Sequence, residues 1–255
     1  MTNLPTLQDE PTRYAGCCLS LSNPLLATIS SLLTSTHAAA ADERSHDEHA
    51  PERGPALILS IGSGTGLFEE LLHTHLNNPI RLDASPPPPP NHAGTSRWRR
   101  SWRVEGVEVH PAVNAHLPED RMSHVPGTWA VHAARARDAA ALMFVYPRDG
   151  ALVRRYVNMF LSESRNESWA ADERAEDDEN KARDEGGDQG SSSRSKGVRL
   201  VLWLGPKCDW EDTGLGSCDA GDGLEIMEIR DGAGLAEYEM LAVLRRKATA
   251  SVEGP

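Results

Sequence analysis

Cysteine is scarce in this chain, with four in 255 residues, and two of them, Cys17 and Cys18, are adjacent. Neighbouring cysteines have poor geometry for a disulfide, and no Cys-x-x-Cys spacing offers a zinc site. The amino terminus, Met1-Thr2-Asn3-Leu4-Pro5, lacks the basic and apolar regions of a secretory signal. No apolar run approaches the roughly 18 residues a membrane span requires. A disulfide scaffold, a zinc ribbon and a membrane protein are therefore excluded. Reduced thiols in a cytoplasmic protein are expected, with the nucleus as the other compartment.

Basic residues are also in the minority, 26 Lys and Arg against 38 Asp and Glu, for a formal charge of −12. The excess is localised. Glu163 to Asp188 carries a net −7 and Ala41 to Arg53 a net −3, which leaves only −2 for everything else. A nearly neutral remainder gives no general case for nucleic acid or a membrane surface as partner. The length suits one α/β domain with a sizeable core.

What the chain does have is Ala56-Leu57-Ile58-Leu59-Ser60-Ile61 running into Gly62-Ser63-Gly64-Thr65-Gly66, then Leu67-Phe68-Glu69-Glu70-Leu71-Leu72. The apolar run reads as a strand buried on both faces of a parallel sheet. After the glycines, Leu67, Phe68, Leu71 and Leu72 recur at helical spacing, with Glu69 and Glu70 falling between them. Such a loop presents backbone N–H groups at a helix start, and its glycines admit a ligand close to the backbone. The dinucleotide fingerprint is not met, because Leu67 stands where its third glycine belongs.

Gly62-x-Gly64-x-Gly66 after a hydrophobic strand resembles the first motif of the class I S-adenosylmethionine-dependent methyltransferases. In that family an acid ends the next strand. Here Val104-Glu105-Gly106-Val107-Glu108 is the next strand, so the resemblance assigns Glu108 to the two ribose hydroxyls of S-adenosyl-L-methionine. A carboxylate suits that task, since it offers acceptors without a competing donor. Gly62, Ser63, Gly64, Thr65 and Gly66 would cradle the rest of the cofactor. The family often folds an amino-terminal segment over its cofactor. Tyr14, in Arg13-Tyr14-Ala15-Gly16-Cys17-Cys18, is the candidate for that role, or else packs on the first helix.

The remaining elements follow in order. Residues 1–18 read as irregular. Asn23 and Pro24 look like cap and first residue of a helix bearing Leu25, Leu26, Ile29, Leu32 and Leu33, and His37 to Gly54 looks like a linker. His110-Pro111 should open a brief helix closed by Pro118. Thr128 to Ala133 should be the third strand; many relatives carry an acid just after it, facing the adenine, and this chain has none there. Ala140 to Pro147 is the fourth strand and Val198 to Pro206 the fifth, with Leu224 to Ile229 and Glu237 to Arg246 as the closing pair.

The fold expected is thus Rossmann-like, a seven-stranded mostly parallel sheet with an antiparallel closing strand and helices on both faces. It is one domain over 1–255, comprising an amino-terminal helix and linker over 1–54, a Pro-rich and basic insertion over 79–101 and an acidic, disordered insertion over 162–197. Ligands of such sheets bind beyond the carboxyl ends of the strands. Tyr146 and Asp149, in the turn after the fourth strand, are therefore the catalytic candidates; Asp149 is either a general base or a helix cap. Asp209 and Trp210 either line an acceptor pocket or form a structural loop. Arg97 to Arg103, basic and aromatic, is either a nucleic-acid contact or the rim of the insertion.

The function expected is methyl transfer to an unidentified small molecule or protein. The alternative is a catalytically silent relative that keeps the fold for binding.

Overall fold

Seven strands form the main sheet in the computed structural model, which describes residues 4–42, 54–78, 101–161, 200–216 and 223–247. The expected Pro-rich insertion, apart from Ser101, and the acidic insertion lie outside the described residues. At the centre is β3 (Ala56–Ile61), with all six residues buried. It pairs in parallel with β4 (Trp102–Glu108) on one side and β6 (Ala141–Val145) on the other. A short β5 (Met122–His124) extends the sheet past β4, and β7 (Leu200–Pro206) continues it past β6, both parallel. The antiparallel β9 (Glu239–Arg246) follows β7, and β8 (Leu224–Asp231) forms the far edge. The order β5-β4-β3-β6-β7-β9-β8 is the expected mostly parallel sheet with an antiparallel closing strand.

The alternation of side chains along β3 explains why both faces are covered. Ala56 and Ile58 join one core with α1 (Asn23–Asp42) and α2 (Leu67–Asn77), whose Leu25, Ile29, Phe68 and Leu72 are buried there. Leu57, Leu59 and Ile61 point the other way. There they meet Ala136 of α3 (Ala133–Asp138) and Val153, Tyr156 and Phe160 of α4 (Gly150–Leu161). Each buried Leu, Ile or Phe contributes about 1.5–3 kcal/mol relative to exposure. The central strand is thus anchored from two sides. Among the described residues no helix is long and apolar enough to cross a membrane.

Four local expectations are corrected. The third strand is β5, not Thr128 to Ala133. The Trp129 ring closes over Gly127, where a Cβ would lie 2.2 Å from it, and Ala130 N donates to Gly127 O at 3.0 Å. That tight turn is followed by Ala133-Ala134-Arg135-Ala136-Arg137, strong helix formers that make α3 rather than a strand. The first helix is capped by Ser22, whose Oγ accepts from Leu25 N at 3.2 Å, while Asn23 Nδ2 donates to Leu7 O at 3.0 Å. That helix also runs on to Asp42 through an alanine run, past the start of the expected linker. Residues 1–18 are not wholly irregular, because β1 (Thr12–Arg13) pairs antiparallel with β2 (Ser20–Leu21) in a small hairpin.

Candidate functional site

At the carboxyl end of β3 the three loop glycines all have positive φ, 75° at Gly62, 56° at Gly64 and 76° at Gly66. Their surroundings differ. A Cβ at Gly62 would meet nothing within 4 Å, and one at Gly64 only Gly16 O at 3.8 Å. These two leave a backbone surface open to a ligand. At Gly66 a Cβ would lie 2.8 Å from Leu117 Cγ and 2.9 Å from Asn114 Oδ1, so that glycine is fixed by packing. The Ser63 side chain is buried and turned towards Met122 Sδ at 3.8 Å, away from the open side. Thr65 O accepts from Ala115 N and His116 N, both at 3.0 Å, which pins the loop to the segment after β4.

Glu108, half-buried at the end of β4, reaches this loop. Its Oε1 accepts from Gly64 N at 2.7 Å and its Oε2 from Val109 N at 3.1 Å. Each oxygen keeps a second lone-pair direction for another donor. The glycine loop and the acid, 44 residues apart in sequence, are one constellation.

The hairpin segment between β1 and β2 lies over it. Thr65 Oγ1 donates to Gly16 O at 3.1 Å. Gly16 must be glycine here: its φ is +78°, and a Cβ would sit 2.5 Å from Thr65 Cγ2. Tyr14, the residue singled out in this segment, packs instead against the core on the α1–α2 side, its hydroxyl donating to Thr6 O at 3.5 Å.

Beyond β6 the side chains dominate. Tyr146 holds φ of 50°, the one non-glycine with positive φ among the described residues. Its hydroxyl donates to Glu239 Oε1 at 2.5 Å. Burial, then the Glu239 carboxylate, hold the phenol well above its ordinary range. Glu239 is fully buried and also accepts from Ser20 N and Ala236 N, each at 3.1 Å. Arg13 Nη2 donates to the Tyr146 hydroxyl at 3.4 Å and Nε to the Tyr238 hydroxyl at 2.9 Å, with the guanidinium 5.5 Å from the Tyr238 ring centre. Asp149 is exposed, and its Oδ1 accepts from Ala151 N at 2.8 Å, which is a helix-capping contact. An open groove of about 570 Å³ lies at this end of the sheet, lined among others by Glu10, Lys207, Asp231 and Glu237.

Other candidates have structural places. Trp210 is buried edge-on against Trp203, ring centres 5.2 Å apart, and Asp209 Oδ1 accepts from Cys208 Sγ at 3.3 Å. Of the basic cluster, Trp102 is in the core and Arg103 pairs with Glu105 at 2.5 Å and Asp120 at 3.2 Å; Arg97 to Arg100 lie outside the described residues. Burial pushes the Cys17 thiol up to about 12, which keeps it neutral where it packs against the core.

Two functional-looking acids were not legible. Glu69 reads as polar-face residue of its helix, yet it is 1% exposed and turned onto the sheet, accepting from Ser60 Oγ at 2.6 Å. Burial raises its carboxyl to about 7, and Oε2 has no partner. Glu239 reads as the start of a closing strand. A buried serine in a central strand, Ser60, was the one available signal for Glu69; Glu239 had none.

No protein-family model matches the chain, and no curated protein sequence matches it. Solved structures do. Three of them are methyltransferases. One is a precorrin-6y C5,15-methyltransferase from Geobacter metallireducens, 10% identical, spanning 96% of this chain and 100% of that one with a TM-score of 0.42. A ribosomal protein L11 methylase from Lactobacillus delbrueckii subsp. bulgaricus is 8% identical over 85% of this chain and 80% of its own, TM-score 0.38. A 16S rRNA (adenine(1408)-N(1))-methyltransferase from Catenulisporales acidiphilia is 11% identical over 93% of this chain and 97% of its own, TM-score 0.38. At such TM-scores the reading of the site rests on its own residues.

Proposed function

We propose that this chain binds S-adenosyl-L-methionine at the glycine loop and catalyses transfer of its methyl group to an acceptor held beside Tyr146. The observation that carries the reading is the contact between Gly64 N and Glu108 Oε1, which joins an open glycine backbone to a carboxylate with lone pairs to spare. The residues fit the group: Gly62 and Gly64 leave room that a Cβ would fill, and Glu108 supplies acceptors for a pair of ribose hydroxyls. When bound, the cofactor supplies a methyl group already activated on a sulfonium sulfur.

What remains for the protein is alignment and exclusion of water. Glu108 fixes the ribose end, and the Gly64 and Thr65 backbone sets the depth of approach. The segment through Gly16 closes the loop from above. Tyr146, held rigidly by Glu239, orients the acceptor. Asp149 stays a candidate base only if its capping contact is released.

That same capping contact favours a second reading, a fold kept for binding without catalysis. Calorimetric titration separates the possibilities. S-adenosyl-L-methionine and S-adenosylhomocysteine should bind while NAD and NADP do not, and Glu108→Ala should weaken that binding about a hundredfold through loss of charge-assisted hydrogen bonds. Unchanged binding by a folded Glu108→Ala variant would overturn the assignment of the site. Tight binding with no turnover on any acceptor would select the second reading.

A further inference from the structure

The two edges of the sheet differ in kind. β5 ends one side with three residues, whereas β8 ends the other with eight, and among the described residues nothing pairs with its outer edge. Long unpaired strands are templates for another chain unless they are blunted. Half of its residues are apolar as well. Of the six large apolar side chains strongly exposed among the described residues, three lie on it: Ile226 at 39%, Met227 at 42% and Ile229 at 49%.

The pairing with β9 shows how its faces are arranged. Ile226 lies opposite Leu244 and Ile229 opposite Ala242, both in the core on the α3–α4 side. Arg230 lies opposite Leu241 and Glu228 opposite Val243, on the α1–α2 side, and Glu225 lies opposite Arg245. A bulge between Ile226 and Glu228 inserts Met227, so residues three apart across it share a face. Without it, Ile226 and Ile229 would point to opposite sides.

We propose that β8 is the interface of a symmetric homodimer, in which it pairs antiparallel with β8 of a second copy. One register uses all eight residues. Leu224 then faces Asp231 of the second copy, Glu225 faces Arg230, Ile226 faces Ile229 and Met227 faces Glu228. A two-fold axis through the bulge repeats every pair, as an isologous interface requires. Opposite charges meet twice and isoleucines meet twice on one face, and the bulge is what puts each pair on the same side of the sheet. Like charges directly opposed, which would forbid the pairing, occur nowhere in this register. A register centred on Ile229 also opposes Glu228 to Arg230 but pairs only Met227 to Asp231, so length selects the eight-residue register, and its charge complementarity selects a second copy over an unrelated strand.

Sedimentation equilibrium of the full chain across the micromolar range, with circular dichroism to confirm folding, tests this. The wild type should dimerise. Ile229→Lys, at an exposed position, should leave a folded monomer. Glu225→Arg and Arg230→Glu should each weaken the dimer about tenfold or more, since every change acts twice across the axis. The double variant should recover it. Within one chain Glu225 pairs with Arg245 and Arg230 with Glu228 at 2.5 Å, and the double exchange restores neither. Recovery therefore reports on the contact between copies. A wild type that stays monomeric throughout, or a dimer indifferent to all of these variants, would overturn the proposal.

Discussion

Over β3 and β4 the carboxyl end of the sheet presents backbone, whereas over β6 and β9 it presents side chains. The first half consists of Gly62, Gly64 and one reaching carboxylate, Glu108. The second is a closed network of Arg13, Tyr146, Tyr238 and Glu239, in which a fully buried acid accepts three hydrogen bonds. A backbone surface fits whatever shares the shape of a common ligand, and it needs little beyond glycine. A side-chain network can be specific, because every member fixes its neighbour, and it is costly to disturb. The hairpin segment bridges the halves, touching Thr65 through Gly16 and Tyr146 through Arg13.

The contrast breaks most readily at Glu239. Glu239→Ala leaves Ser20 N, Ala236 N and the Tyr146 hydroxyl without their acceptor, and denaturant unfolding should show a loss of about 4 kcal/mol. A loss under about 1 kcal/mol would mean that water replaces the carboxylate and that the network is loose.

Glu69, beneath the backbone half, sharpens the comparison through pH. Its carboxyl rises on folding from 4.5 to about 7 through burial. Between these values the folded protein keeps a proton the unfolded chain releases, so stability falls as pH rises through this window. The loss is on the order of 3 kcal/mol, at roughly 1.4 kcal/mol per unit. Unfolding free energies measured from pH 4 to 8 should therefore slope downward more steeply in the wild type than in Glu69→Gln. Parallel curves for the two proteins would place the titration elsewhere.

Within the loop itself the glycines should separate. Gly62→Ala bears only the left-handed backbone, about 1 kcal/mol. Gly66→Ala adds contact with Leu117 and Asn114 and should cost about 3 kcal/mol in all. Equal losses by thermal unfolding would show that packing at Gly66 gives way.

This division also explains what was legible in the residues. Strand, glycine loop and helix are contiguous from Ala56 to Leu72, so local pattern specifies them, and the acid at Glu108 needed only the end of the next strand. The sheet and its closing pair were readable for the same reason, each strand being an apolar run between turns. The network over β6 joins residues 13, 146, 238 and 239, which only the topology brings together, and no periodicity marks a buried glutamate as different from an exposed one. Thr128 to Ala133 misled because Trp129, Val131 and Ala133 alternate like a strand while Gly127 and the alanines dictate turn and helix.

The direction of the strands carries one more consequence. The stretches 43–53, 79–100, 162–199 and 217–222 lead into the starts of β3, β4, β7 and β8, and these four strands run parallel to one another. The chain therefore enters each of these strands at the rim opposite Gly62, Glu108 and Tyr146. A reporter joined at the entry to any of these strands would start from the pole away from the glycine loop, which leaves that loop's backbone surface clear of the junction.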